Sequence, residues 1–307
     1  MKKYENDKKH LLFGHSTAVL DPEVIDYINN FNPNFNSILG FDISEYLNSF
    51  TQWILSSKNK TIIGLDNFKY SAYSNGTSES FDKFYLYNRG KRFRCFTGEY
   101  LYHKLAWRHC CPEYKLIEEE PLREGDAVVI SLPFADTGNK HINHDIVLKE
   151  CERLNIPVLI DCCYYGIADQ PIFDLTSSCI TDVTFSLSKV FPVAHARIGI
   201  RFTKDDIDDT LIVYDKNSYV NRLGASLGVH LMKKFGPDFI VNKYRDKQIE
   251  FCNFLGVDSS NTVIFGLGNE TWKEYNRGCI TNRLSLHKFL HLNSNEFYKI
   301  VREKYDN

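Results

Sequence analysis

From Asp21 the chain reads Asp-Pro-Glu, followed by the apolar positions Val24, Ile25 and Ile28. A capping aspartate, a proline suited to the first turn and an apolar face at helical spacing predict a helix. A second helix begins at Asp42, with Glu45 three residues on as in a capping box. Ile43, Tyr46, Leu47, Phe50, Trp53 and Ile54 form its apolar face. Further helices are expected just after Asn75-Gly76, with Thr77 or Ser78 as the cap, and over residues 101–110 and 144–155. Between them lie short apolar runs at 93–96, 127–132, 157–160, 183–186 and 197–202, which read as strands. The run at 127–132 is almost continuously apolar, as in a strand buried on both faces.

Strands alternating with helices predict an α/β fold: a mostly parallel sheet sandwiched by helices, with a smaller α+β lobe. Residues 46–205 form the expected large domain, and residues 1–45 and 206–307 the small lobe, with one strand at 262–265. In such sheets ligands sit beyond the carboxyl ends of the strands. Asp161, Lys189 and the polar turn after Leu132 all fall there.

Composition narrows the function. The net charge is −2 over 307 residues, which speaks against a general nucleic-acid surface or a basic membrane face. No run approaches the ~18 apolar residues of a bilayer span, and the charged start, Met1-Lys-Lys-Tyr, is not a secretory signal. Nine cysteines without regular spacing read as reduced thiols in the cytoplasm. A soluble cytoplasmic protein without nucleic-acid or membrane partners is expected, and no metal site.

The chemistry-bearing residues are ordered along the chain. A lysine directly after a buried strand, Ser186-Leu-Ser188-Lys189, is on its own most simply a snorkelling surface residue. It is followed by Arg197-Ile-Gly199 and preceded by Asp161, which ends a strand with Tyr164 three residues on. Gly76-Thr77-Ser78 lies at a helix start. An amine for a carbonyl, a carboxylate for a ring nitrogen, and a helix start with hydroxyls and an arginine for a phosphate are the parts that pyridoxal phosphate requires.

Six segments in order resemble fold-type I aminotransferases of classes I and II, the aspartate-aminotransferase-like family. They are Asn75-Gly-Thr-Ser-Glu79, Gly98-Glu-Tyr100, the strand and turn from Val128 to Gly138, Val158 to Gly166, Ser186 to Gly199, and Asn282-Arg-Leu-Ser285. The resemblance implies pyridoxal 5′-phosphate as cofactor, Lys189 as Schiff-base residue and proton carrier, Asp161 on the ring nitrogen and Tyr164 on the ring 3-oxygen. It implies Gly76, Thr77, Ser78, Ser186 and Arg197 around the phosphate and Tyr100 stacked on the ring. It assigns Arg283, with Gly14, to the substrate carboxylate. An amino acid and a keto acid would be the substrates, and a homodimer the assembly.

Two departures stand out. Ala135 occupies the place of the family asparagine that bonds the ring 3-oxygen, and Phe35 that of the tyrosine reaching the neighbouring subunit's phosphate. The chain is also short for the family. Transamination is therefore the first expectation. Elimination, decarboxylation or cyclisation on the same scaffold is the alternative, and a non-catalytic scaffold comes last.

Overall fold

The computed structural model describes residues 11–205 and 210–305. Its main sheet has seven strands in the order β2-β9-β8-β6-β5-β3-β4. These are β2 (Tyr70–Asn75), β3 (Arg92–Cys95), β4 (Tyr114–Leu116), β5 (Asp126–Ser131), β6 (Val158–Asp161), β8 (Ile180–Ser186) and β9 (Ile198–Thr203). β9 runs against both neighbours, and every other pairing is parallel. β1 (Thr61–Ile63) and β7 (Ile172–Asp174) form a separate parallel pair. β10 (Asp258–Ser259), β11 (Phe265–Gly268) and β12 (Asn282–Ser285) form an antiparallel sheet.

The expected helices are present, with two adjustments. α1 (Pro22–Asn29) is capped by Asp21, whose carboxylate accepts from the Val24 amide at 2.9 Å. α2 (Phe35–Leu39) precedes α3 (Ile43–Leu55), which Asp42 caps through Ser44. α4 (Thr77–Tyr87) has Gly76 at its cap, not Thr77 or Ser78. The 101–110 helix shortens to α5 (His103–Ala106) and a tighter turn over Trp107–His109, because Tyr102 at its start offers no capping side chain. α6 (His144–Arg153), α7 (Thr210–Lys216), α8 (Arg222–Lys234), α9 (Phe239–Leu255) and α10 (Ser294–Tyr305) complete the set. The strand expected at 262–265 begins only at Phe265; Thr262 instead bridges to Ala168.

The continuous apolar strand is buried on both sides. Val128 and Ile130 of β5 join the large core that also holds Phe50, Trp53 and Val229 of α3 and α8. Ala127 and Val129 join the cluster with Phe81, Phe84 and Tyr85 of α4. Each fully buried valine, leucine or isoleucine contributes about 1.5–3 kcal/mol, so the sheet centre is fixed from both faces. That fixes one edge of the sheet. Ser131, Asp161 and Ser186 end three adjacent parallel strands, and Arg197 immediately precedes the reversed β9. The amino-terminal segment returns to the antiparallel sheet, where the Ser285 amide donates to the Phe13 carbonyl at 2.8 Å.

Candidate active site

A cavity of about 300 Å³ opens at that edge of the sheet. Lys189, Asp161, Tyr164, Tyr100, Thr77, Ser78, Ser186 and Arg197 all line it. A larger cleft of about 730 Å³ beside α6 contains none of them.

Lys189 follows β8 on a turn packed against Gly166, where an added Cβ would lie 2.5 Å from Val190. Its ammonium donates to the Ser16 carbonyl at 2.6 Å. Loss of solvent and the nearby Arg283 and Arg277 lower its pKa, against the raising effect of Cys163 and Asp161. An amine so placed is easier to deprotonate and so a better nucleophile.

Asp161 is buried, with the Cys163 amide donating to it at 3.0 Å. Desolvation pushes its carboxyl up to about 7, and Lys189 opposes that shift. A carboxyl this costly to ionise alone favours a cationic N–H partner.

At the other end of the cavity, Arg197 is held in the left-handed region at φ 56°. The Tyr73 hydroxyl donates to its carbonyl at 2.7 Å. Its guanidinium donates to the Asn75 carbonyl at 2.9 Å, the Ala194 carbonyl at 3.2 Å and the Ser78 hydroxyl at 3.4 Å, all neutral acceptors. Gly76, at φ 69°, makes this approach feasible: an added Cβ would lie 2.5 Å from the guanidinium. Ser186 accepts from the Ser188 amide at 3.0 Å. The start of α4, two serines, a threonine and an uncompensated arginine thus surround one space suited to an anion.

Tyr164 packs edge-on to Phe265 at 5.5 Å, and burial raises its pKa. Tyr100 is 48% exposed at the cavity mouth, stacked on Tyr102 at 6.1 Å. Ala135 lines the cavity and brings no side-chain donor to it.

Two expectations need correction in placement. Gly14 does not border the cavity; its amide closes a turn to the Leu11 carbonyl, and the wall from this segment starts at His15. Arg283 stands behind the wall. It donates to the Ala135 carbonyl and, at 3.3 Å, to the Ser16 hydroxyl, both belonging to lining residues, and lies 4.1 Å from the Phe265 ring. Among the described residues its Nε has no partner. Desolvation and Arg277 bring its pKa down to about 10. Phe35 is 71% exposed on α2.

Sequence reasoning missed His15, Ser16, Thr17, Cys163, Ser188 and His195, all of which line the cavity. The polar run His15-Ser-Thr17 after Leu11-Leu-Phe13 was the available signal for the first three. It also missed Glu99, buried one residue before Tyr100.

No family model matches the sequence, and no curated protein matches it. Solved structures do. The substrate-bound BacF structure from Bacillus subtilis superposes with a TM-score of 0.67 at 13% identity, covering 95% of this chain and 88% of that one. The histidinol-phosphate aminotransferase from Clostridium acetobutylicum gives 0.63 at 15%, covering 94% and 96%. This chain has the aminotransferase fold. A PLP-bound C-S lyase from Staphylococcus hominis shares it too, with a TM-score of 0.62 at 13% identity over 96% and 93% of the two chains. The resemblance carried by the six motifs holds at the level of architecture.

Proposed function

We propose that the protein is a pyridoxal-phosphate enzyme of the transferase type, an aminotransferase acting on an amino acid and a keto acid. The observation that carries this reading is the convergence of Lys189, Asp161 and the Gly76–Arg197 cradle on one cavity. The residues fit the cofactor. Arg197 faces the space with only neutral partners, Asp161 is a buried carboxyl awaiting a cation, and Lys189 is a desolvated amine. Bound there, pyridoxal phosphate supplies an electron sink for the substrate's Cα.

The remaining roles belong to the chain. Thr77, Ser78, Ser186 and Arg197 bind the phosphate, and the glycine at 76 lets the guanidinium approach. Asp161 keeps the ring nitrogen protonated. Tyr100 covers one ring face, and Tyr164 donates to the ring 3-oxygen without the help that an asparagine at 135 would give. Lys189 anchors the cofactor and moves the proton at Cα. Arg283 attracts the substrate carboxylate, because it is a buried cation with neutral partners and a free Nε. A carboxylate entering there displaces its bond to Ser16.

The division into a large domain and a small lobe, a cytoplasmic location and a homodimeric assembly belong to the same proposal. No described helix is long and apolar enough to cross a membrane. A second reading, β-elimination, is favoured by the likeness to the C-S lyase and by Ala135. The deciding assay incubates cofactor-loaded protein with a panel of amino acids, with and without an added keto acid. Carbonyl product that depends on the keto acid supports transamination. Ammonia release without it supports elimination, and no product from any amino acid contradicts both.

A further inference from the structure

Glu99 is 6% exposed, carries no cationic partner among its hydrogen bonds and has no place in the scheme above. It accepts from the Ser131 amide at 2.8 Å, is 2.5 Å from the Ser131 hydroxyl, and accepts from the Tyr100 amide. Ser131 is the register partner of Asp161 on the adjacent strand, and both line the cavity. A serine hydroxyl has one hydrogen to give. When Glu99 is ionised, that hydrogen points to Glu99. When Glu99 is protonated, it donates to the serine oxygen, and the serine hydrogen is released to the cavity that Asp161 also lines.

Resting on the cofactor reading above, we infer that Glu99, acting through Ser131, is a positioning residue for Asp161. The two buried carboxyls share one negative charge, and the proton on Glu99 leaves that charge on Asp161. The only covalent change is a proton exchanged between Glu99 and solvent. Two like charges in one dry pocket repel, so one of them takes a proton. Desolvation, with Asp161 adding to it and the Ser131 and Tyr100 bonds opposing it, raises Glu99 to about 8. The titratable groups around the pair are Asp161 and Cys95 facing Glu99, and Lys189, Cys162, Cys163, Tyr164 and Tyr100 facing Asp161.

A purely structural role, tying the Gly98–Tyr100 turn to β5, is the competing explanation. Glu99→Gln separates the two, since the amide keeps the acceptor for the backbone amides and imitates the protonated acid at every pH. The test is a pH titration of the visible absorption of pyridoxal-phosphate-loaded wild type, Glu99→Gln and Ser131→Ala. Infrared spectra of the cofactor-free proteins accompany it. The wild type should show a step near pH 8 that Glu99→Gln lacks, and a buried carboxylic-acid band at pH 6, to which Asp161 and Glu99 both contribute, that the substitution diminishes by the share of Glu99. Ser131→Ala should keep the band and shrink the step. Superimposable titrations in wild type and Glu99→Gln, with cofactor bound in both, would overturn this inference alone. Failure of the wild type to take up the cofactor would overturn the cofactor reading and this inference with it.

Discussion

The two ends of the cavity are built differently. At the end proposed for the phosphate, Thr77, Ser78, Ser186 and Arg197 line the cavity, and Gly76 lies against the guanidinium. At the end proposed for the substrate, the sequence departs at Ala135, and Arg283 lies behind the wall, bonded to Ala135 and Ser16. Asp136 is tied down, accepting from the Thr281 hydroxyl at 2.9 Å and pairing with Arg277 at 3.4 Å. A preformed anion cradle needs no rearrangement to receive its ligand, whereas the substrate end must exchange an internal bond for an external one. On the proposed reading, cofactor binding rests on the fixed end and the choice of reaction on the end that departs from the family pattern.

The largest expected effect lies where the two ends meet. Asp161→Ala should cut turnover by at least about 100-fold, the low end of what a positioned proton-handling group supplies. Cofactor retention should change far less, because the phosphate cradle is intact. Single-turnover kinetics beside a cofactor-retention assay measure both, and unchanged turnover would give the ring nitrogen another partner.

At the substrate end, Arg283→Lys should keep the cofactor's colour and cost about ten- to 100-fold in kcat/KM for an amino acid. That range corresponds to the loss of one charge-assisted hydrogen bond at roughly 1.5–3 kcal/mol. An amine substrate lacking a carboxylate should be indifferent to the change. Equal losses for both substrates would make Arg283 a structural support for Ser16 and Ala135 only.

At the phosphate end, Gly76→Ala places a methyl group against the Arg197 guanidinium at a positive φ. The expected cost is roughly 1 kcal/mol in stability and a several-fold weaker affinity for pyridoxal phosphate, read by thermal melts and by titration of the cofactor-free protein. An unchanged affinity would separate this turn from the phosphate.

The smallest effect lies outside the cavity. Burial lowers His103 to about 3, and the Tyr85 hydroxyl lies 2.5 Å from its Nδ1. A histidine with a depressed folded pKa contributes stability that is complete above its unfolded value of about 6.5 and is lost as pH falls towards 3. The slope from this one group is at most about 1.4 kcal/mol per pH unit. Asp161 and Glu99 have raised values and act oppositely in the cofactor-free protein, losing stability as pH rises from about 4 to about 7 and 8. Denaturant melts of His103→Phe from pH 4 to 7 should show a flatter acid limb than the wild type. An identical limb would mean that His103 takes up its proton in the folded protein as readily as in the unfolded chain.

The same contrast explains what could be read from the sequence. Elements with strong local signals were legible: the buried strand at 127–132, the Asp21 and Asp42 caps, and the lysine segment with its arginine at fixed distance. Local chemistry dictates all of these. The residues that were missed are brought in by the chain's return. Ser16 reaches Lys189 across 173 positions, and Arg283 meets Ala135 across 148. Nothing near Gly14 in sequence shows that its neighbours, and not the glycine itself, face the cavity. Glu99 carries no local signal of burial in its turn, and it is buried where that turn is bonded to Ser131 of β5.

The central claim is that Lys189 is the anchor of a pyridoxal-phosphate site. Borohydride reduction of the cofactor-loaded protein, followed by peptide mapping, tests it most directly. The account predicts a single phosphopyridoxyl label on the peptide containing Lys189, absent from Lys189→Ala. A label on another lysine, or none on a protein that has been saturated with the cofactor, would contradict it.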